Sequence, residues 1–254
     1  MIAMAWNNLV GAWSGLNASA RAALAAWVLS MIVLPVVKWA WGDRAMRWGV
    51  TLSVVSQAVT VVAVLGHAWG WRQTALVALA IAGMGWAVEF VGSRTGFPFG
   101  RYHYTDRLQP QLGHVPLLIP LAWLMMLPPA WAIADRIAGQ RGLAFVAVSA
   151  LAFTAWDLFL DPQMVGWRLW IWERPGGYFG IPWVNYLGWA LASAVMTAVL
   201  RPRSLPTEPL QLIYAITWLM ETVGLGVFWG QPRPALVGFL CMGGMMFWAW
   251  FLKA

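Results

Sequence analysis

Nine acidic residues occur among the 254 of this chain, and four of them sit in almost wholly apolar surroundings: Glu89 in GWAVEFVG, Asp157 and Asp161 in AWDLFLDPQM, and Glu221 in WLMETVGLG. A carboxyl carried into hydrocarbon is expensive and needs a reason. Asp157 and Asp161 are four apart and project from one helix face. Two carboxylates so placed cannot both ionise cheaply, so one is kept neutral. A neutral carboxylic acid in an apolar, aromatic pocket is a proton donor. The demanding reaction it suits is protonation of an unactivated alkene in a lipid-soluble substrate, followed by stabilisation of the carbocation. The competing readings are structural: a polar cap bonding Trp or backbone for the aspartates, and a pair with Arg94 or Arg101 for Glu89 and Glu221. Asp161 also precedes Pro162, which disfavours helical geometry there and predicts a helix end at Asp161.

The elements that must position these acids follow from composition. Hydrophobic residues make up 61% and charged residues 10%, and the mean hydropathy is +0.66, values that place the chain in a bilayer. Crossing roughly 30 Å of hydrocarbon takes about 20 apolar residues. Eight such stretches run approximately over 21–41, 47–66, 73–93, 114–134, 142–160, 182–200, 210–229 and 235–252. No alternation of the kind a membrane barrel needs is present. The expected fold is therefore all-α: a polytopic integral membrane bundle of about eight helices, forming one transmembrane domain over 1–254 with residues 1–20 as an interfacial lead-in. Cys241 is the single cysteine, which excludes an internal disulfide and a cysteine-based metal cluster. The net charge of +7 arises from Lys and Arg placed singly at span ends, where lipid headgroups account for it better than nucleic acid does. Nine of these cations follow odd spans and seven lie on the other face, too even a split to orient the chain.

Spans three, five and seven run in the same direction, so Glu89, Asp157, Asp161 and Glu221 reach the same half of the membrane. The polar run from Gly96 to Gln111, within FPFGRYHYTDRLQPQLGHVPLLIPLAW, starts on that face. Two spans need only a short turn between them, whereas this connection uses about 20 residues, a length that is usually functional. Arg101, His103, Tyr104 and Asp106 are its candidates for binding substrate or water. A weak internal repeat adds Asn185. Glu89 is followed by Pro116 and Trp123, and Asp157 by Pro182 and Trp189, with Gly-, Pro- and aromatic-rich connections in both copies. Parallel repeats place sites at their interface. Trp156 and Trp183 stand beside the acids and could face a cation, although belts at the membrane interface are the commoner use of Trp. No His spacing suggests a metal site, and no nucleotide, phosphate or nucleophile motif occurs, so no cofactor and no metal is expected.

GFPFGRYHYT, VPLLIPLAW, AWDLFLDPQM and YFGIPWVNYLGW together resemble membrane carotenoid biosynthesis proteins of the carotenoid 1',2'-hydratase (CruF-type) family, closely over roughly residues 80–200. The resemblance implies a cofactor-independent hydro-lyase adding water across the terminal 1',2' double bond of a linear psi-end carotenoid to give a tertiary alcohol. Asp157 would be the proton donor, Glu89 would position or activate water, and Asp161, Tyr104, His103 and Asn185 would tune or hydrogen-bond this pair. The implied partners are a linear carotenoid, water, membrane lipid and other carotenoid biosynthesis enzymes, in a bacterial cytoplasmic membrane. Three alternatives share some of these features. A membrane lycopene cyclase would give a ring. A UbiA-like prenyltransferase would use Asp157 and Asp161 to bind magnesium diphosphate. A non-enzymatic carrier would leave its polyene unchanged.

Overall fold

The computed structural model describes residues 10–252; residues 1–9 of the expected lead-in lie outside them. Among the described residues, seven helices are long and apolar enough to cross a membrane. The first, α1 (Ala18–Trp69), has 52 residues, far more than one crossing uses. It breaks at Gly42, whose φ of 75° and ψ of −171° are left-handed territory that favours glycine. Its two arms, residues 18–41 and 43–69, fold against each other. Leu34, Met46 and Val50 make a small buried cluster between them, and the Ser30 and Ser53 hydroxyls meet at 3.0 Å. The seven helices thus supply the eight apolar segments read from hydropathy. The chain is an all-α polytopic membrane protein whose backbone polar groups are satisfied inside helices, as hydrocarbon requires.

After α1 come α2 (Trp71–Thr95), α3 (Leu118–Ala138), α4 (Gly142–Gly166), α5 (Trp183–Leu200), α6 (Thr207–Val223) and α7 (Pro232–Phe247). A π-helical turn, Gly224–Phe228, continues α6. α3 is the central post and packs on α1, α2, α4 and α6. Its Trp123, Met126, Leu127 and Trp131 are fully buried. Large apolar residues elsewhere face outward, Leu79, Leu187 and Val227 among them, where lipid replaces water as their solvent.

Two expected boundaries move. The fourth span begins at Leu118, because 111–116 form a tight hairpin of β2 (Gln111–Leu112) and β3 (Val115–Pro116). α4 runs through Pro162 to Gly166, so Asp161 is no helix end. Proline removes the amide that would bond the carbonyl four residues back. That carbonyl, on Leu158, is taken instead by the Tyr178 hydroxyl at 3.0 Å. With its orphan acceptor satisfied from outside, the helix continues, and Asp157 and Asp161 stay one turn apart on one face.

The long connections after α2 and α4 are stitched together. β1 (Tyr102–Tyr104) pairs antiparallel with β4 (Trp170–Trp172), Tyr102 opposite Trp172 and Tyr104 opposite Trp170. Arg101 extends the pairing by accepting from the Glu173 amide at 3.0 Å.

Candidate active site

A small cavity of about 50 Å³ lies where α2, α3, α4 and α5 converge under this ribbon, and Glu89, Asp161 and Asn185 are its acidic and amide walls. Glu89 comes from α2 and is almost fully buried. Its Oε2 accepts hydrogen bonds from the hydroxyls of Tyr102 and Tyr104, the latter at 2.7 Å, and its Oε1 accepts from Trp123 Nε1 at 3.3 Å. All three neighbours donate, an environment shaped for a carboxylate. No arginine is among its partners. Arg94 lies over the Phe90 ring instead, 4.0 Å from its centroid, and Arg101 is exposed. The suggested arginine pairing of this acid is therefore replaced by phenols and an indole.

The strand explains why two tyrosines reach one carboxylate. Side chains alternate across a strand, so Tyr102 and Tyr104 point inward while His103, between them, is exposed. Burial, and then the Glu89 charge, push both phenols well above their ordinary range. They remain neutral donors at every physiological pH.

Asp157 and Asp161 are buried on α4. Asn185 on α5 bridges them: its Nδ2 donates to Asp157 Oδ2 at 3.1 Å and to Asp161 Oδ2. The amide is oriented by Trp189, whose Nε1 donates to Asn185 Oδ1 at 3.1 Å. Trp170 Nε1 donates to Asp161 Oδ1 at 3.1 Å. Asp157 Oδ1 is buried with no hydrogen-bond partner among the described residues. One amide nitrogen thus holds both carboxyls together, and two carboxylates sharing a buried site repel each other, which favours a proton on one of them. Asp161 faces the cavity and Asp157 stands behind it.

Equivalent positions of the sequence repeat meet here. Trp123 and Trp189 stack with centroids 4.7 Å apart and planes 4° from parallel. One bonds Glu89 and the other holds the amide that bridges the aspartates. Phe99 locks the overlying run down, its ring seated between Gly92 on α2 and Gly188 on α5.

Of the residues expected from sequence, Glu89, Tyr104, Asp157, Asp161 and Asn185 come together. Arg101, His103 and Asp106 are exposed and line no part of this cavity. Trp183 is 60% exposed and packs on Tyr178 and Tyr186. Trp156 is fully buried and Glu221 partly so; both line a second, neighbouring cavity, where Gln163 Nε2 donates to Glu221 Oε2 at 3.3 Å. α6 packs chiefly on α3, α7 and α1, and Glu221 meets α4 at Gln163, beyond the aspartates, so level in the membrane did not bring Glu221 to the other acids. Tyr102, Trp123 and Trp170 were missed. Reading 102–104 as a strand would have paired Tyr102 with Tyr104 and turned His103 away.

Residues 48–245 match the family described as carotenoid biosynthesis protein. The chain is 30% identical over 188 residues to bisanhydrobacterioruberin hydratase of Haloarcula japonica, an alignment covering 69% of this chain and 64% of that protein. It thus spans less than two thirds of that relative's length. No solved structure matches. With a match over most of its length and a membrane bundle built around buried acids, the chain belongs to the carotenoid biosynthesis protein family.

Proposed function

We propose that this protein is a carotenoid hydratase that adds water across the terminal 1',2' double bond of a linear psi-end carotenoid without a cofactor. The observation that carries the reading is that an amide-bridged aspartate pair, through Asp161, and a separately held carboxylate, Glu89, meet at one small apolar chamber. The chamber has room for about three to five waters at roughly 10–15 Å³ each, or for a chain terminus. The Asp157–Asp161 pair delivers a proton to C2' through Asp161, its cavity-facing member. The C1'–C2' π electrons form the new C–H bond, and the positive charge falls on C1', which bears two methyl groups. Trp189 and Trp170, which line the chamber, and Glu89 stabilise that charge. Water then bonds to C1' and passes its extra proton to Glu89, and a proton returned from Glu89 to the pair resets the site. The sum is alkene plus water to tertiary alcohol, and the conjugated system is untouched. The name of the hydratase relative supports the reaction class.

Co-expression in a host accumulating a linear carotenoid, followed by pigment mass analysis, tests this. The expected pigment is heavier by one water with an unchanged visible spectrum. Asp161→Asn should lose at least about 10²-fold, because an amide cannot supply the proton. A cyclised pigment, or an unmodified one from well-folded protein, would overturn the assignment. So would activity lost to EDTA and restored by magnesium.

A further inference from the structure

The acid chamber is too small for a carotenoid: about 50 Å³ against the roughly 300–1,000 Å³ of sites that enclose even drug-sized ligands. The rest of the chain must lie elsewhere. A second cavity of about 270 Å³ adjoins it, bounded by both arms of α1, the end of α4, and the end of α6 with its π-turn. The two cavities share five wall residues, Val50, Val54, Met125, Leu160 and Met164. All are apolar, and the two methionines are flexible enough to swing aside. On its far side the second cavity reaches the outer surface of the bundle, where Ile32 is 57% and Val223 46% exposed. In a membrane protein that surface is lipid.

We infer that this second cavity is a lateral portal that seats the stretch of polyene next to the reacting end while the rest of the chain stays in the bilayer, entered between the first arm of α1 and the end of α6, with the reacting terminus passing the Met125–Met164 partition into the acid chamber. The inference rests on the proposed function for the identity of the occupant. Three features point to a long apolar chain. The lining is mainly aliphatic, methionine and indole. The opening faces the phase in which a carotenoid dissolves. Glu89 and Asp161 lie at the inner end, across a wall one side chain thick, and the second cavity's own acid, Glu221, is hydrogen-bonded to Gln163.

The test uses the full-length protein carrying Asp161→Asn, so that bound polyene is not converted. It is purified in detergent from a host accumulating a linear carotenoid, and the polyene retained is read from visible absorption per mole of protein. Ile32→Trp and Val223→Trp, one on each rim and both partly exposed, should each lower retained polyene at least about tenfold at unchanged size-exclusion behaviour. Leu187→Trp, on the outer face of α5 and 70% exposed, should leave it unchanged. Retention by both rim variants at the level of the parent would overturn the portal while leaving the hydratase reading intact. If the Asp161→Asn parent itself retains no polyene, the hydratase reading fails, and the portal with it.

Discussion

Replacing Gly188 with alanine should disable the site without altering either Glu89 or the aspartate pair. A Cβ at 188 would stand 2.7 Å from Phe99 Cδ1 and 2.7 Å from the Pro98 carbonyl oxygen, where comfortable contacts begin at roughly 3.5 Å. The Phe99 ring has little slot to retreat into, because on the other side its Cδ2 already fills the space a side chain at Gly92 would take, 2.6 Å from an ideal Cβ position on α2. The run carrying Phe99 must therefore lift by about 1 Å, an overpacking cost of about 1–3 kcal/mol. Tyr102 is three residues further on, so its hydroxyl, with that of Tyr104, is drawn away from Glu89. Misplacement on this scale costs catalysis about 10²-fold. The assay is hydrated pigment formed per mole of folded protein, with melting followed in parallel. The expected result is a modest loss of thermal stability with a far larger loss of turnover. Adding Phe99→Leu, which removes ring atoms from the slot, should restore part of it. Wild-type turnover in Gly188→Ala would refute the claim that this contact holds the tyrosines on Glu89. A folded double variant no better than the single would refute it equally.

Three further outcomes are expected. His103→Ala should leave hydration within about twofold of wild type, since its ring is on the outer side of β1; pigment ratios from the same host decide it. Tyr178→Phe should destabilise by about 1–3 kcal/mol by orphaning the Leu158 carbonyl, and by clearly less in a Pro162→Ala background, where a helical amide reclaims that acceptor; a double-mutant cycle by thermal melting measures the coupling. Tyr102 and Tyr104 stay protonated in the fold while their unfolded counterparts ionise near pH 10, so the unfolded state binds fewer protons above that pH. Their contribution is full below pH 10 and declines as pH rises beyond it, and Tyr104→Phe should flatten that alkaline decline in a melting series.

The parts of this molecule that hydropathy governs were legible in its sequence. Span number and direction put Glu89, Asp157 and Asp161 in one half of the membrane, and the proline–tryptophan repeat marked Trp123 and Trp189, the two indoles that stack, without assigning either to the site. What was not legible depends on partners distant in the chain. A three-residue strand has too few alternations to declare itself, so the inward Tyr102 and outward His103 could not be told apart until Trp170 and Trp172 were seen opposite them. Pro162 read as a stop because its relief comes from Tyr178, in a connection whose path local propensity does not encode. Glu221 shows the limit of arguing from depth alone, since hydropathy fixes level but not lateral neighbours.

The ribbon over the site also imposes an order on biogenesis. β1 has no partner until β4 has left the ribosome, roughly 65 residues later, which at about 5–20 residues per second is roughly 3–13 s. Through that interval α2 and α3 can already be in the bilayer, while the aromatic run between them waits at the surface with unpaired backbone. A nascent chain arrested before residue 170 would have α1 to α4 but none of the later helices, and would be unable to close over its carboxylate. Completion of the reactive chamber is thereby deferred until both acid-bearing hairpins have entered the lipid.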